Sequence, residues 1–296
     1  MPGGRVGHFR DAAAQARYAA AYRDALARLP QPDETYDVPT GFGTVRVYRF
    51  AGPPGRPVVL APGRNAAAPM WGPNVPGLIA RRTVYALDLI GEPGMSVQHK
   101  PIAGSGDQAQ WFGEMLAALG LDRAHLMGAS FGGWTVTNYA VRRPGAAASL
   151  TLLDPVLTFA PIPLTTMLMV APMASPHVPA GYRAWVLGRL SGGAAVDESD
   201  PVTALITSGS REYVLRQPLP ARFTDTQLRA LDIPVLAVLA GRSVIHDAAR
   251  AAATARRLLP RGTVELWGDA SHALTGEFVE RIADRTHRFW GDAFLG

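Results

Sequence analysis

Short apolar runs separated by helical segments constrain this chain more than any other feature. Pro57–Ala61, Thr83–Leu89, Ala124–Ala129 and Ser149–Leu153 are too short for buried helices and lack regular polar alternation. Runs of this kind read as strands covered on both faces. Segments of helical pattern lie between them, among them Gly106–Leu119 and Gly133–Arg143. Strand and helix in alternation predict a parallel sheet flanked by helices. Pro234–Ala240 and Thr263–Trp267 continue the series, with Ala248–Leu259 as the helix between them and Glu277–Trp290 as a closing helix. Ahead of the series, the Ala-rich segment Asp11–Leu29 sets Tyr18, Tyr22, Leu26 and Leu29 at helical spacing and is stopped by Pro30 and Pro32. Thr35–Val38 and Gly43–Phe50 follow as strands.

The rhythm breaks once. Residues 155–232 offer no convincing buried strand; they are rich in proline, with Pro155, Pro161, Pro163 and Pro172 in the first part. The same stretch holds Phe159, Met167, Met169, Met173, Tyr182, Trp185 and Tyr213. A structureless loop of that length is uncommon inside a domain. A small helical lid inserted between two strands is expected instead, leaving 1–154 and 233–296 as one core. A chain of 296 residues accommodates such a domain without a second fold.

Composition removes several classes of function. Hydrophobic residues at 48% and charged residues at 18% describe a globular protein. Basic residues exceed acidic ones by 29 to 24, for a formal net charge of +5. The arginines are scattered rather than clustered, so no nucleic-acid partner is expected. No cysteine is present, which excludes thiolate metal sites, disulfides and a cysteine nucleophile. Met1–Arg10 carries arginines without an apolar core and does not read as a secretory signal. Pro161–Met173, the most apolar stretch, is far short of the ~20 residues a membrane span needs. A cytoplasmic protein acting on a small molecule is the expectation; the sequence leaves its oligomeric state open.

Two short segments carry chemistry. Gly128-Ala129-Ser130-Phe131-Gly132-Gly133 follows an apolar run and precedes a helix, the setting in which a sharp turn lifts a serine hydroxyl clear of a sheet. Small flanking residues are needed because the turn is tight, and the N–H of Phe131 then faces a developing oxyanion. Gly268-Asp269-Ala270-Ser271-His272 follows the last apolar run, and His272 is the candidate base in the chain order serine, then histidine. His99, His125 and His287 have structural readings. No glycine-rich phosphate loop and no metal-ligand spacing occurs, so no cofactor or metal is expected.

With these motifs the chain resembles the α/β-hydrolase superfamily and, within it, bacterial carboxylesterases with an N-terminal helix and a helical cap. The likeness extends through Leu60-Ala61-Pro62-Gly63-Arg64-Asn65, Met70-Trp71, Asp88-Leu89-Ile90-Gly91, the serine turn and the histidine loop. It implies a mostly parallel eight-stranded sheet, and an oxyanion hole formed by the backbone N–H groups of Arg64 and Phe131. The Arg64 side chain either faces the pocket, favouring an anionic substrate, or faces solvent. The family's usual acid, a few residues beyond the glycine after Leu239-Ala240, is replaced by Arg242-Ser243-Val244. Asp154, after the strand Ser149–Leu153, is the expected replacement, because some members of the superfamily carry the acid after this earlier strand. Asp247, ahead of an Ala-rich helix, and a serine–histidine dyad without an acid are the alternatives. Asp247 also suits a helix N-cap. Asp88 ends a strand and reads as structural. The resemblance implies hydrolysis of an ester, thioester or lactone of a small to medium apolar molecule, with the Met- and aromatic-rich lid forming the acyl pocket. The displaced acid keeps two alternatives open: a non-hydrolytic lyase, cyclase or acyltransferase, and a ligand-binding pseudo-hydrolase.

Overall fold

Each apolar run becomes a strand of one sheet. The computed structural model describes residues 6–175, 178–193, 197 and 199–292; residues 1–5, 293–296 and, within the expected lid, 176–177, 194–196 and 198 lie outside them. The strands are β1 (Glu34–Thr40), β2 (Gly43–Phe50), β3 (Val58–Ala61), β4 (Val84–Leu87), β5 (His125–Ala129), β6 (Ser149–Leu153), β7 (Val235–Ala240) and β8 (Gly262–Trp267). Their order is β8-β7-β6-β5-β3-β4-β2-β1, and Val97–Gln98 pairs on the side against β2. From β4 to β8 every pairing is parallel, whereas β2 pairs antiparallel with both β1 and β4.

The inner strands β3 to β7 are largely apolar because their residues enter two separate cores. Val59, Ala61, Leu126, Leu150, Leu152, Val235, Ala237 and Leu239 pack into one cluster. Val58, Leu60, Met127, Leu153, Leu236, Val238 and Ala240 pack into the other. The first is roofed by α3 (Ser105–Ala118), α4 (Phe131–Arg142) and α9 (Ala248–Leu258) through Trp111, Phe112, Trp134, Ala251 and Ala255. The second is covered by α1 (Ala12–Leu26), α2 (Val75–Ile79) and α11 (Val279–Asp292) through Tyr18, Tyr22, Leu78, Ile282 and Trp290. Asp11 starts α1 by accepting the N–H of Ala14 at 2.7 Å, an N-cap that satisfies one free donor of the first turn. The closing helix is shorter at its start than its periodicity predicts. A separate turn, Leu274–Glu277, precedes it, and Phe278 at φ −129° breaks the two apart.

Between β6 and β7 the described residues form α5 (Leu164–Val170), α6 (Ala180–Leu190), α7 (Pro201–Glu212) and α8 (Asp225–Arg229). One short strand also occurs there: Tyr213–Val214 pairs antiparallel with His8–Phe9. Tyr182 donates to the carbonyl of Met169 at 2.8 Å, tying α6 to α5. Met167 and Trp185 are 44% and 52% exposed. These two large apolar residues of the expected acyl pocket therefore face outward.

Asp88, at the end of β4, is fully buried and accepts three hydrogen bonds: from Ala68 N–H at 2.7 Å, Met95 N–H at 2.6 Å and Tyr22 O–H at 2.9 Å. Burial raises its carboxyl from the ordinary value, and these donors offset only part of the rise. It joins α1 to two loops at the carboxyl edge of the sheet, which is the structural role its position suggests. Asp88→Ala strands those donors, each at a cost of about 1–3 kcal/mol. Urea unfolding should show a loss of about 3–5 kcal/mol; a change under 1 kcal/mol by the same measure would contradict this role.

Candidate active site

Every sequence-derived site residue lies at the carboxyl ends of the parallel strands: Arg64 beyond β3, Ser130 and Phe131 after β5, Asp154 after β6 and His272 beyond β8. In open parallel sheets ligands bind outside this edge.

Ser130 occupies a turn that only its neighbours make possible. Its backbone is at φ 51°, ψ −115°, a region that costs of order 1–3 kcal/mol for a side chain with a Cβ. The turn is held by the Ser130 N–H on the Leu153 carbonyl at 3.0 Å and by its own carbonyl, which accepts from Trp134 and Val156 N–H at 3.2 Å each. A Cβ on Gly132 would stand 2.0 Å from the Ala61 oxygen, and one on Gly128 would stand 2.4 Å from the Gly132 carbonyl. Both glycines are therefore close-approach positions, where β3, β5 and the start of α4 touch backbone to backbone.

The histidine reaches both partners. His272 Nε2 is 3.0 Å from Ser130 Oγ, and its Nδ1 is 2.7 Å from Asp154 Oδ2. An ionised carboxylate only accepts, so Nδ1 carries the proton and Nε2 is left to accept from the serine hydroxyl. The histidine loop is anchored by Glu277, which accepts the Ser271 N–H at 2.8 Å and the Ser271 hydroxyl at 2.5 Å.

Asp154 has no exposed surface and a left-handed backbone at φ 45°, which aspartate tolerates better than most residues. Its Oδ1 accepts the Ala240 N–H at 2.9 Å. His246 Nε2 also stands 3.0 Å from Oδ1, off the axis of a well-formed hydrogen bond. Burial pushes the Asp154 carboxyl up, but His246 and His272 outweigh it and hold it well below the ordinary carboxylate range. Asp247, the other candidate acid, is turned away: its side chain caps α9 by accepting the Arg250 N–H at 2.9 Å.

Phe131 opens α4, so its N–H belongs to the first helical turn, whose donors have no intrahelical partner. The β3 loop comes close to the serine: a Cβ on Gly63 would lie 3.6 Å from Ser130 Cβ. Asn65 and Ala67 in that loop have φ of 62° and 53°, and Glu92 secures it by accepting the Asn65 N–H at 3.2 Å. The Arg64 side chain is partly exposed and is held by two neighbours. Its Nε is 3.2 Å from Glu92 Oε1, and its guanidinium sits 4.7 Å above the Phe131 ring. Burial raises the Glu92 carboxyl, with Arg64 the first of the groups that offset it. Glu92 also accepts from Gln217, on the chain returning from the helical insertion.

His246, Glu92 and Glu277 were not legible as site residues. The only sequence signal for His246 is its place in the loop where the family's acid is expected. Glu92 and Glu277 carried none. Among the described residues no cluster of three or more His, Cys, Asp or Glu is placed to hold a metal, and no helix is long and apolar enough to cross a membrane.

This sheet order, with serine, acid and histidine at one edge, defines an α/β hydrolase. The chain belongs to the alpha/beta hydrolase fold family, which it matches over residues 56–203, half its length. It is 24% identical over 285 residues to the uncharacterized carboxylesterase nap of Bacillus subtilis, covering 93% of this chain and 92% of that protein. Carboxylesterase YbfK of the same organism is 25% identical over 281 residues, with 92% and 93% covered. The crystal structure of naproxen esterase (carboxylesterase NP) from Bacillus subtilis superimposes with a TM-score of 0.84 at 25% identity, covering 93% of this chain and 97% of that one.

The depressed Asp154 carboxyl fixes a sign for acid stability. A folded value below the unfolded value of about 4 stabilises the protein fully above that pH, and the benefit is lost as pH falls through the folded value. The gap in unfolding free energy between wild type and Asp154→Asn, from urea titrations, should be widest near neutrality. It should narrow below about pH 4. A gap that stays constant or widens on acidification would refute the assignment.

Proposed function

We propose that this protein is a carboxylesterase that hydrolyses esters of small to medium apolar molecules, with thioesters and lactones within reach of the same chemistry. The observation that carries the reading is the unbroken contact from Ser130 Oγ to His272 at 3.0 Å and from His272 to Asp154 at 2.7 Å. Ser130 is the nucleophile, His272 the base and then the acid, and Asp154 the carboxylate that orients the imidazole. The Ser130 oxygen attacks the ester carbonyl while its proton passes to His272 Nε2. The oxyanion of the tetrahedral intermediate is received by the N–H groups of Phe131 and Arg64. His272 returns the proton to the departing alcohol, leaving an acyl group on Ser130. Water, deprotonated by the same imidazole, releases the acid and restores the serine.

Residues 155–232 act as the cap over this edge, with 1–154 and 233–296 as the core. Arg64 is paired with Glu92, so the side chain brings no free charge to the site, which favours a neutral substrate over an anionic one. The non-hydrolytic readings drew their support from the missing acid after β7. With Asp154 beside His272, that support is gone.

Release of p-nitrophenol from short and medium acyl esters tests the proposal. Ser130→Ala should lower kcat by about 10⁴-fold or more, and Asp154→Asn by about 10³–10⁴-fold. Asp247→Asn should stay within about threefold of wild type, since a surface helix cap acts on stability alone. Ser130→Ala turning over at the wild-type rate would sink the reading.

A further inference from the structure

Asp154 meets a second histidine that the proposed mechanism does not use. His246 belongs to the loop after β7 and its side chain is 1% exposed. Its nearest polar partner is the carboxylate: Nε2 lies 3.0 Å from Oδ1, the oxygen that His272 leaves free. Neither ring nitrogen has a well-formed hydrogen bond among the described residues. Burying an imidazole in this way is unfavourable, and nothing in the packing of an apolar core requires a polar ring here.

The setting gives the ring a task. A carboxylate rotates about its Cβ–Cγ bond in a broad, shallow well. The Ala240 N–H, at 2.9 Å, is one restraint on Oδ1; His246 Nε2, 3.0 Å from the same oxygen though off the hydrogen-bond axis, is a second polar contact that limits rotation of the plane. That plane sets where Oδ2 points, and so the line of the bond to His272 Nδ1. On its other side His246 borders a cavity of about 350 Å³, lined also by Thr166, Met169, Arg189, Val244 and Asp247. Thr166 of α5 donates to the Val244 carbonyl at 2.5 Å, so the insertion grips the loop that carries His246.

We propose that His246 is a positioning residue for the reaction, acting through Asp154 to hold the carboxylate in the orientation His272 requires. The inference rests on the reading of Ser130, His272 and Asp154 as the reacting group. His246 touches neither the serine nor the substrate. Its contribution falls on kcat, because it governs the orientation of the imidazole and not the binding of the acyl chain.

Replacements with graded reach test it. Gln carries its amide nitrogen at the same distance along the side chain as Nε2, whereas Asn stops one bond short and Leu has no donor. His246→Leu and His246→Asn should lower kcat about tenfold or more with KM within about twofold, and His246→Gln should recover most of the loss. Near-native thermal unfolding of the Gln and Asn pair keeps the comparison valid if the Leu variant does not fold. Combining His246→Asn with Asp154→Asn should cost no more than Asp154→Asn alone, as expected for one residue acting through the other. Full activity in the Asn and Leu variants overturns the proposal, and so does a Gln variant as slow as the Asn variant. A fully active Asp154→Asn enzyme overturns the triad reading and this inference together. An impaired Asp154→Asn enzyme beside fully active His246 variants overturns only this one.

Discussion

A carboxylate with no exposed surface needs donors for its oxygens, and Asp154, at the end of β6, draws them from the end of β7 and from the loop beyond β8. Its own N–H is bonded to Val238 at 2.8 Å on β7. Oδ1 takes the Ala240 N–H from the end of that strand, and Oδ2 takes His272 from the loop beyond β8. The register of β6 against β7 and of β7 against β8 therefore has to be correct before the charge is satisfied. An unpaired buried charge costs several kcal/mol, so misregistered packings of this edge are penalised by the group that orients the histidine. Fold and site share one constraint here.

The serine turn depends on a different constraint, backbone contact without side chains. Ser130 sits at positive φ between a strand and a helix, and the helix can start so close to β3 only because Gly132 has no Cβ. Gly133 meets the same kind of limit, since a Cβ there would lie 2.8 Å from Pro155 Cβ. That contact brings the start of the acid's loop against the nucleophile's helix. The local strain at Ser130 is held by hydrogen bonds to Leu153, Val156 and Trp134, two of which come from the strand and loop around Asp154. Ser130 and Asp154 are thus braced against each other by the fold itself.

The fold was legible because its strands are covered on both faces. Val58 to Ala61 and Val235 to Ala240 send alternate side chains into two cores, which leaves a continuous apolar run in the sequence. The serine turn was legible for a different reason: its glycines and serine fall within six residues of chain between a strand and a helix, although the contacts that demand Gly132 and Gly133 come from Ala61 and Pro155. The acid was less legible, because Asp154 and Asp247 are both competent by type, and the choice rests on which strand end faces His272. Only the structure supplies the N-cap bond that occupies Asp247. His246 and Glu92 were harder still, since their partners are distant in sequence and their burial leaves no periodic trace. Met167 and Trp185, apolar residues of the proline-rich stretch, are both largely exposed, which the sequence pattern does not indicate.

The helical insertion is joined to the chemistry at more than one point. Gln217 reaches Glu92, which holds both the Asn65 N–H and the Arg64 side chain in the oxyanion loop. Thr166 holds Val244 in the loop of His246. Arg242, in the same loop, donates to the Gly192 carbonyl of the insertion at 2.7 Å. The insertion therefore contacts Glu92, which holds the loop after β3, and the loop after β7 that carries His246. On the proposed reading of 155–232 as a cap, a change in its packing strains the loops beside Ser130 and Asp154. On that reading substrate range and turnover are coupled through these few polar contacts, so that a change of sequence in the insertion is expected to act on both.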